Sequence, residues 1–312
     1  MLPEKTEYNP LVSIVTVNYN NAAVTADLLR SLAGNSYRNI EVIVVDNASV
    51  EQPKAILEAA YPAVKVILNS ENMGFAGGNN VGINAASGEF LFLVNNDTEF
   101  TDGLIEGLLD IFRQYPEAGI ACPKFHYFFH KGTIEYAGYQ AVDIMTGRNS
   151  MIGCKEQDNG QYDEIKETNY AHGGAMMISR EALEKVGLMP EVYFLYYEEF
   201  DWCEMFKRKG YKVYYQYKSL IYHKESMSTG KNSPLKTYYI TRNRLLFMRR
   251  NISLPRRLVF MAYFSLLTIP KNTLTFLGRR EMVHLKAFWR GVFWNIRNFK
   301  KSNDYVWNSR IY

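Results

Sequence analysis

At 312 residues, with 47% hydrophobic and 22% charged residues, the chain has an ordinary globular composition and can bury a full core. One large domain, or one domain with an appendage, is the expectation. Three well-separated cysteines, Cys122, Cys154 and Cys203, exclude a CxxC zinc site or a disulfide framework and fit a reducing compartment. The net charge of +4 divides unevenly: residues 242–312 hold 15 Lys and Arg against Glu281 and Asp304, and residues 1–241 hold 21 against 30 acids. The two parts therefore face different partners. The polar start, MLPEKTEYNP, lacks the apolar core of a signal peptide, and no apolar run reaches the roughly 18 residues of a membrane span.

In chain order, LVSIVTV (11–17) reads as a strand and 22–33 as a helix ending near Gly34. IEVIVVD (40–46), VKVIL (64–68), FLFLV (90–94) and GIACPKF (119–125) read as further strands. Helices are expected over about 51–61, 76–86 and 102–115. Continuous apolar strands alternating with helices predict a parallel α/β sheet covered on both faces. Residues 126–169 read as a long loop or small hairpins over the site. AMMIS (175–179) is strand-like, SREALEKVG a short helix, and EEFDWCEMFKRKG (198–210) a helix stopped by Gly210. YKVYYQ (211–216) and SLIYH (219–223) read as strands, and the chain is helical from about 233.

In a parallel sheet, ligands bind beyond the carboxyl ends of the strands. Here those ends are polar: Asn18, Asp46-Asn47, Asn72 and Asn95-Asn96-Asp97. One such end is a turn; four on one edge outline a site. A carboxylate at Asp46 can accept a pyrimidine imide or ribose hydroxyl, or cap the next helix. NSENMGFAGGNNVGI (69–83) sets three glycines before a helix, where backbone can approach a phosphate. No glycine follows the first strand in VTVNYNN, which argues against a dinucleotide-binding oxidoreductase. Asp97 can hold a hard cation such as Mg2+ or Mn2+. Glu198, Glu199 and Asp201 crowd one helical turn, where mutual repulsion raises a pKa toward that of a general base. His223 gains interest if a metal is nearby, and His172, in AHGGAMM, lies where a loop could meet a sugar.

Taken in order, VSIVTVNYN, IEVIVVDNAS, NMGFAGGNNVGI, FLFLVNNDTEF, GGAMMISREALEKVG, YFLYYEEFDWCEMFKRKGYKV, YH and YYITRNRLLFMRRN resemble inverting family 2 glycosyltransferases, particularly the bacterial rhamnosyltransferase-like members. The resemblance spans about residues 11–250. It implies a GT-A fold, a Rossmann-like and mostly parallel sheet flanked by helices. Residues 1–250 would form that domain, with a nucleotide half of about 11–125 and an acceptor half of about 126–250. By the same resemblance, Asn18, Asp46 and Asn47 line the nucleotide pocket, and Asn72, Gly74, Phe75 and Asn79 border the donor. Asn95 and Asn96 touch ribose or phosphate. Asp97 holds Mg2+ or Mn2+ with His223, Glu199 is the base, and Glu198, Asp201, His172 and Gly174 face acceptor or sugar. Asn95 stands where the family has a first carboxylate, and Glu199 where it has Asp.

The implied reaction moves a sugar from a nucleotide-diphospho-sugar, of dTDP-rhamnose or UDP-hexose type, to a glycan or lipid-linked hydroxyl in bacterial surface polysaccharide assembly. A catalytically inactive sugar-nucleotide-binding protein is the alternative. Residues 251–312 form a basic, aromatic helical extension carrying Trp289, Trp294 and Trp307. Its composition suits an anionic membrane surface, here the cytoplasmic face of the cell membrane. A homo-oligomer contact is the other use for such a face, and no nucleic-acid module is recognisable.

Overall fold

The computed structural model describes residues 8–224 and 233–299. Trp307 and Asp304 of the extension lie outside the described residues, as do residues 1–7 and 225–232.

Among the described residues, ten strands form one sheet. In the first half, β1 (Val12–Asn18), β2 (Ile40–Asp46), β3 (Lys65–Leu68) and β4 (Phe90–Val94) pair in parallel in the order β3-β2-β1-β4. Helices α1 (Ala22–Leu32), α2 (Lys54–Ala60) and α3 (Gly74–Ala85) make the crossovers. Strands β1, β2 and β4 are buried almost end to end, which is why they read as unbroken apolar runs. The glycines of 69–83 have a packing role. They lie inside α3, where a Cβ at Gly82 would stand 2.3 Å from Val15 and one at Gly78 would stand 2.8 Å from Asn47. Their absent side chains let α3 press onto β1 and β2.

The second half is mixed. After β5 (Thr98–Phe100) and α4 (Leu104–Gln114) comes β6 (Ala118–Tyr127), then the short strands β7 (Ile134–Tyr136) and β8 (Lys166–Glu167). Strand β9 (Ala175–Ser179) inserts antiparallel between β4 and β6. Its Ser179 hydroxyl accepts from the Ala182 N–H at 3.2 Å and so caps α5 (Arg180–Val186). A single-turn helix, Glu191–Tyr193, leads to α6 (Glu198–Arg208). The two strands expected over 211–223 are one, β10 (Lys212–His223), whose register against β6 shifts between Gln216 and Leu220.

Helix α7 (Pro234–Asn251) starts on a Ser233 cap with Pro at its first position. Helices α8 (Leu254–Tyr263) and α9 (Ile269–Gly278) are joined by a π-helical segment, Phe264–Thr268. Pro270 lacks the N–H that a regular turn would use there, so the hydrogen-bond ladder slips. Helix α10 (Met282–Arg297) packs back on α7: the Asn295 amide donates to the Arg242 carbonyl at 2.9 Å, and the Arg249 guanidinium donates to the Asn295 carbonyl at 3.1 Å.

Candidate active site at the strand edge

The ends of β1 and β2 lie side by side because the Asn18↔Asp46 register closes their ladder. The Asn18 amide donates to Asp46 Oδ1 at 2.7 Å. Asp46 also accepts from the Ser49 hydroxyl at 2.6 Å and the Ser49 N–H at 2.9 Å. It therefore shapes the turn after β2 and does not cap α2, which begins eight residues later. From Asn18 the network runs on. Thr25 Oγ1 donates to Asn18 Oδ1 at 2.7 Å, and the Asn96 amide donates to Thr25 Oγ1 at 2.9 Å. Thr25, on α1, is a member that sequence reasoning missed. Asn47 is tied to the Gly74 carbonyl at 2.8 Å, and the Asn69 amide donates to it at 2.8 Å.

Strand register also assembles the second cluster. His223↔Thr98 pairing between β10 and β5 sets the preceding residue, Asp97, beside His223. The Lys224 N–H donates to the Asp97 carbonyl at 2.8 Å and fixes that approach. Asp97 Oδ1 and His223 Nε2 are 3.2 Å apart, and His223 Nδ1 faces both Glu135 oxygens at 2.9 Å. Glu135, only 4% exposed on β7, was not foreseen. Burial opposes charge on His223, yet Asp97 and Glu135 outweigh it and lift the imidazole to about 10. His172 behaves oppositely. Burial pushes it down to about 4, although Glu135 lies 3.7 Å from its Nε2. Its Nδ1 accepts from the Gly174 N–H at 3.0 Å, so the neutral ring carries its proton on Nε2.

Two donors on adjacent corners of an octahedral hard cation, at about 2.1 Å each, are about 3 Å apart. The Asp97–His223 spacing would fit that demand once a cation displaced the Nε2 proton that now lies between the pair, and Glu135 would then orient the imidazole from behind, as carboxylates do behind metal-binding histidines. Among the described residues, no cluster of three or more His, Cys, Asp or Glu side chains forms a cage. Such a cation would thus need oxygens from a ligand, which is how Mg2+ shares substrate phosphates.

Glu199 reaches this region from α6. The rings of His172 and His223 are 5.9 Å apart, and a Cβ at Gly173 would lie 3.7 Å from Glu199 Cγ. Gly174 accepts from the Asn95 N–H at 2.8 Å, which ties the same loop to the end of β4. The acidic pair follows a strained turn in which Phe194, Tyr196 and Tyr197 hold φ of 62°, 69° and 75°. The Asn243 amide clamps that turn from α7, with donor contacts of 3.0, 2.7 and 2.7 Å to the Tyr193, Leu195 and Tyr196 carbonyls. Arg242 adds contacts of 2.6 and 2.7 Å to the Val192 and Tyr193 carbonyls. Neither residue was singled out from sequence. From α3, the Phe75 N–H donates to the Phe194 carbonyl at 2.7 Å. Gly74 is required for that approach: its φ is +73°, and a Cβ would stand 2.4 Å from the same oxygen.

Burial raises the Glu199 carboxyl to about 7. Glu198, buried with one oxygen unpaired, is pushed well above the usual range by burial and then by Glu199. One member of the pair therefore stays protonated while the half-buried one can exchange a proton near neutrality.

Three expected residues make structural contacts. Asp201 is fully buried, with Arg250 Nε at 2.9 Å and Asn251 Nδ2 at 2.5 Å, so it bolts α6 to α7 and does not face an acceptor. A residue two positions from Glu199 points to another helix face. Asn72 is exposed and accepts from the Gly74 N–H at 2.9 Å, and the buried Asn79 amide donates to the Phe75 carbonyl at 2.9 Å. Both shape the start of α3.

Residues 13–187, more than half of the chain, match the family model described as glycosyl transferase family 2, so the protein belongs to that family and is a glycosyltransferase. It is 26% identical over 243 residues to the low-salt glycan biosynthesis hexosyltransferase Agl10 of Haloferax volcanii, covering 75% of this chain and 74% of that one. It is 23% identical over 245 residues to the N-acetylglucosaminyl-diphospho-decaprenol L-rhamnosyltransferase of Mycobacterium tuberculosis, covering 71% and 78%. Among solved structures it is similar to the mannosyltransferase PcManGT from Pyrobaculum calidifontis in complex with GDP-Man and Mn2+. That likeness has a TM-score of 0.58 at 14% identity, over 93% of this chain and 88% of that one. S. aureus TarS in complex with UDP-GlcNAc gives a TM-score of 0.59 at 16% identity, over 88% and 79%. The fold is the expected GT-A arrangement with C-terminal helices added.

Proposed function

We propose that the protein is an inverting, metal-dependent transferase that moves a sugar from a nucleotide-diphospho-sugar, of dTDP-rhamnose or UDP-hexose type, to a hydroxyl of a glycan or lipid-linked acceptor in surface polysaccharide assembly. The observation that carries this reading is Glu199, a half-buried carboxyl raised to about 7 beside the loop that joins it to the Asp97–His223 pair. A carboxylate of that pKa is matched to general-base work near neutral pH. The relatives' named activities, and the GDP-Man, UDP-GlcNAc and Mn2+ held by the two structural neighbours, agree with it.

In this reading Asn18, Asp46 and Asn47 hold the nucleotide, with Asn95 and Asn96 toward ribose and phosphate. Asp97 and a deprotonated His223 would hold Mg2+ or Mn2+, with Glu135 behind the imidazole. When bound there, such a cation would supply charge neutralisation for the leaving diphosphate. Glu199 takes the proton of the acceptor hydroxyl as that oxygen bonds to the anomeric carbon. The bond to the donor diphosphate breaks on the opposite face, its electron pair leaves with the nucleoside diphosphate, and configuration inverts. Glu198, His172 and Gly174 border the acceptor. Donor-dependent release of nucleoside diphosphate tests this, because Glu199→Gln should abolish it while nucleotide binding persists. A fully active Glu199→Gln protein would remove the base assignment, and a wild-type protein that binds donor without turnover would favour an inactive binding protein.

The extension is assigned to an anionic membrane at the cytoplasmic face. Leu258, Leu266, Leu267, Leu274 and Val283 are exposed on a surface rich in Lys and Arg. Among the described residues no helix is long and apolar enough to cross a membrane. Co-sedimentation with phosphatidylglycerol vesicles should be lost in Leu266→Glu/Leu267→Glu, and undiminished binding would refute the assignment.

A further inference from the structure

A cavity of about 320 Å3 lies where α7, α9 and α10 meet the loop at Arg148. Four cations line it, Arg148, Lys236, Arg244 and Arg279, against one carboxylate, Glu281. Arg244 is the informative member. It is 4% exposed, its Nε is buried without a hydrogen-bond partner, and one face of its guanidinium lies 5.0 Å from the Phe264 ring. Burial pushes the guanidinium down to about 10, and the nearby Arg148 charge adds to that. A buried charge without a counter-ion is costly, and structures normally pair it. A buried arginine with an unsatisfied nitrogen, lining a cavity with three more cations, is suited to an oxyanion.

The cavity's walls are tied to the turn that carries Glu199. The Tyr197 hydroxyl donates to the Gly147 carbonyl at 3.0 Å, and Lys236 Nζ lies 5.8 Å from the Tyr196 ring centre. An apolar cavity of about 470 Å3 lies further along the same face of α7: Arg244 lines the first and Met248, one turn on, the second, and a Cβ at Gly147 would stand 3.1 Å from Arg244 and 3.0 Å from Met248. Likewise Phe288 of α10 lines the first and Val292, one turn on, the second.

We propose that the cationic cavity binds a phosphate or diphosphate group of an amphiphile whose apolar chain runs toward the second cavity. This site is separate from the donor's diphosphate site and deepens the functional reading above, since it rests on an acceptor that is lipid-linked. Two sources share the chemistry, the diphosphate of a lipid-linked acceptor and a phospholipid headgroup.

The test is calorimetry on the full chain with the donor site saturated by nucleoside diphosphate and metal. The probes are farnesyl diphosphate, inorganic pyrophosphate and farnesol. Farnesyl diphosphate should bind, pyrophosphate should bind more weakly, and farnesol should give no measurable heat. The exposed-residue variant Arg148→Gln/Arg279→Gln and the buried Arg244→Gln should each weaken farnesyl diphosphate tenfold or more without changing nucleotide affinity. Equal affinity in the wild type and the double variant, or no binding of either diphosphate by the wild type, overturns the site. The double variant keeps the test decisive should Arg244→Gln fail to fold. Competition by phosphatidylglycerol vesicles would assign the site to a headgroup, and its absence to the acceptor; both keep the phosphate site. Binding is read without transfer, so nucleoside diphosphate release from the same preparation reports separately on the catalytic reading.

Discussion

The two sides of the site treat buried polar groups in opposite ways. At the edge of β1, β2 and β4, Asn18, Asp46, Thr25 and Asn96 satisfy one another through contacts of 2.7 to 2.9 Å. At the head of α6, Glu198 keeps an oxygen unpaired and Glu199 is lifted to about 7 by burial. A satisfied network is rigid and presents fixed donors and acceptors to a ligand. An unsatisfied carboxyl is a destabilised charge, which is the state a proton acceptor needs at neutral pH. In the proposed function, the contrast assigns positioning to the sheet edge and proton chemistry to the helix end.

The sharpest way to break this contrast is at Glu199. Glu199→Gln removes the proposed proton acceptor and should lower kcat by about 10²–10⁴-fold, with donor affinity unchanged, as read by calorimetry. Next comes the Asp97–His223 pair. Glu135→Gln leaves both cation-facing donors in place and should still weaken Mn2+-dependent nucleotide binding by about 10–100-fold; equal Mn2+ titrations would separate Glu135 from that role. The smallest effect is expected at the clamp. Asn243→Ala leaves three carbonyls of the strained turn without their donor and should cost about 1–3 kcal/mol in denaturant unfolding. Its kcat should fall more than its donor affinity. Unchanged stability and kcat would mean that the turn holds Glu199 without α7.

Much of the donor side is legible in sequence because its strands are continuous apolar runs with abrupt polar ends. VIVVD and FLFLVNND display both the burial and the stop. The acceptor side is harder to read because tertiary pairing decides it. AMMIS carries no mark of its direction, and it inserts antiparallel between β4 and β6. Glu135 sits on a three-residue strand inside a segment with no periodicity, where pairing with β6 shifts register. Asp201 shares its composition with Glu199, and only the packing of α7 separates a bolted carboxylate from a reactive one. The glycines of NMGFAGG suggest a phosphate cradle in sequence, and the structure adds a packing role that sequence does not show. Arg244 reads as one more cation of a basic tail until its burial is seen.

The most direct measurement is the pH dependence of kcat/KM for transfer, taken alongside the donor Kd. Glu199 must be ionised to accept a proton, and burial holds its carboxyl at about 7. Activity should therefore fall about tenfold per unit below that pH while donor affinity stays flat over the same range. An acid limb near the ordinary carboxyl value of about 4.3, or one that follows donor binding, would contradict the account.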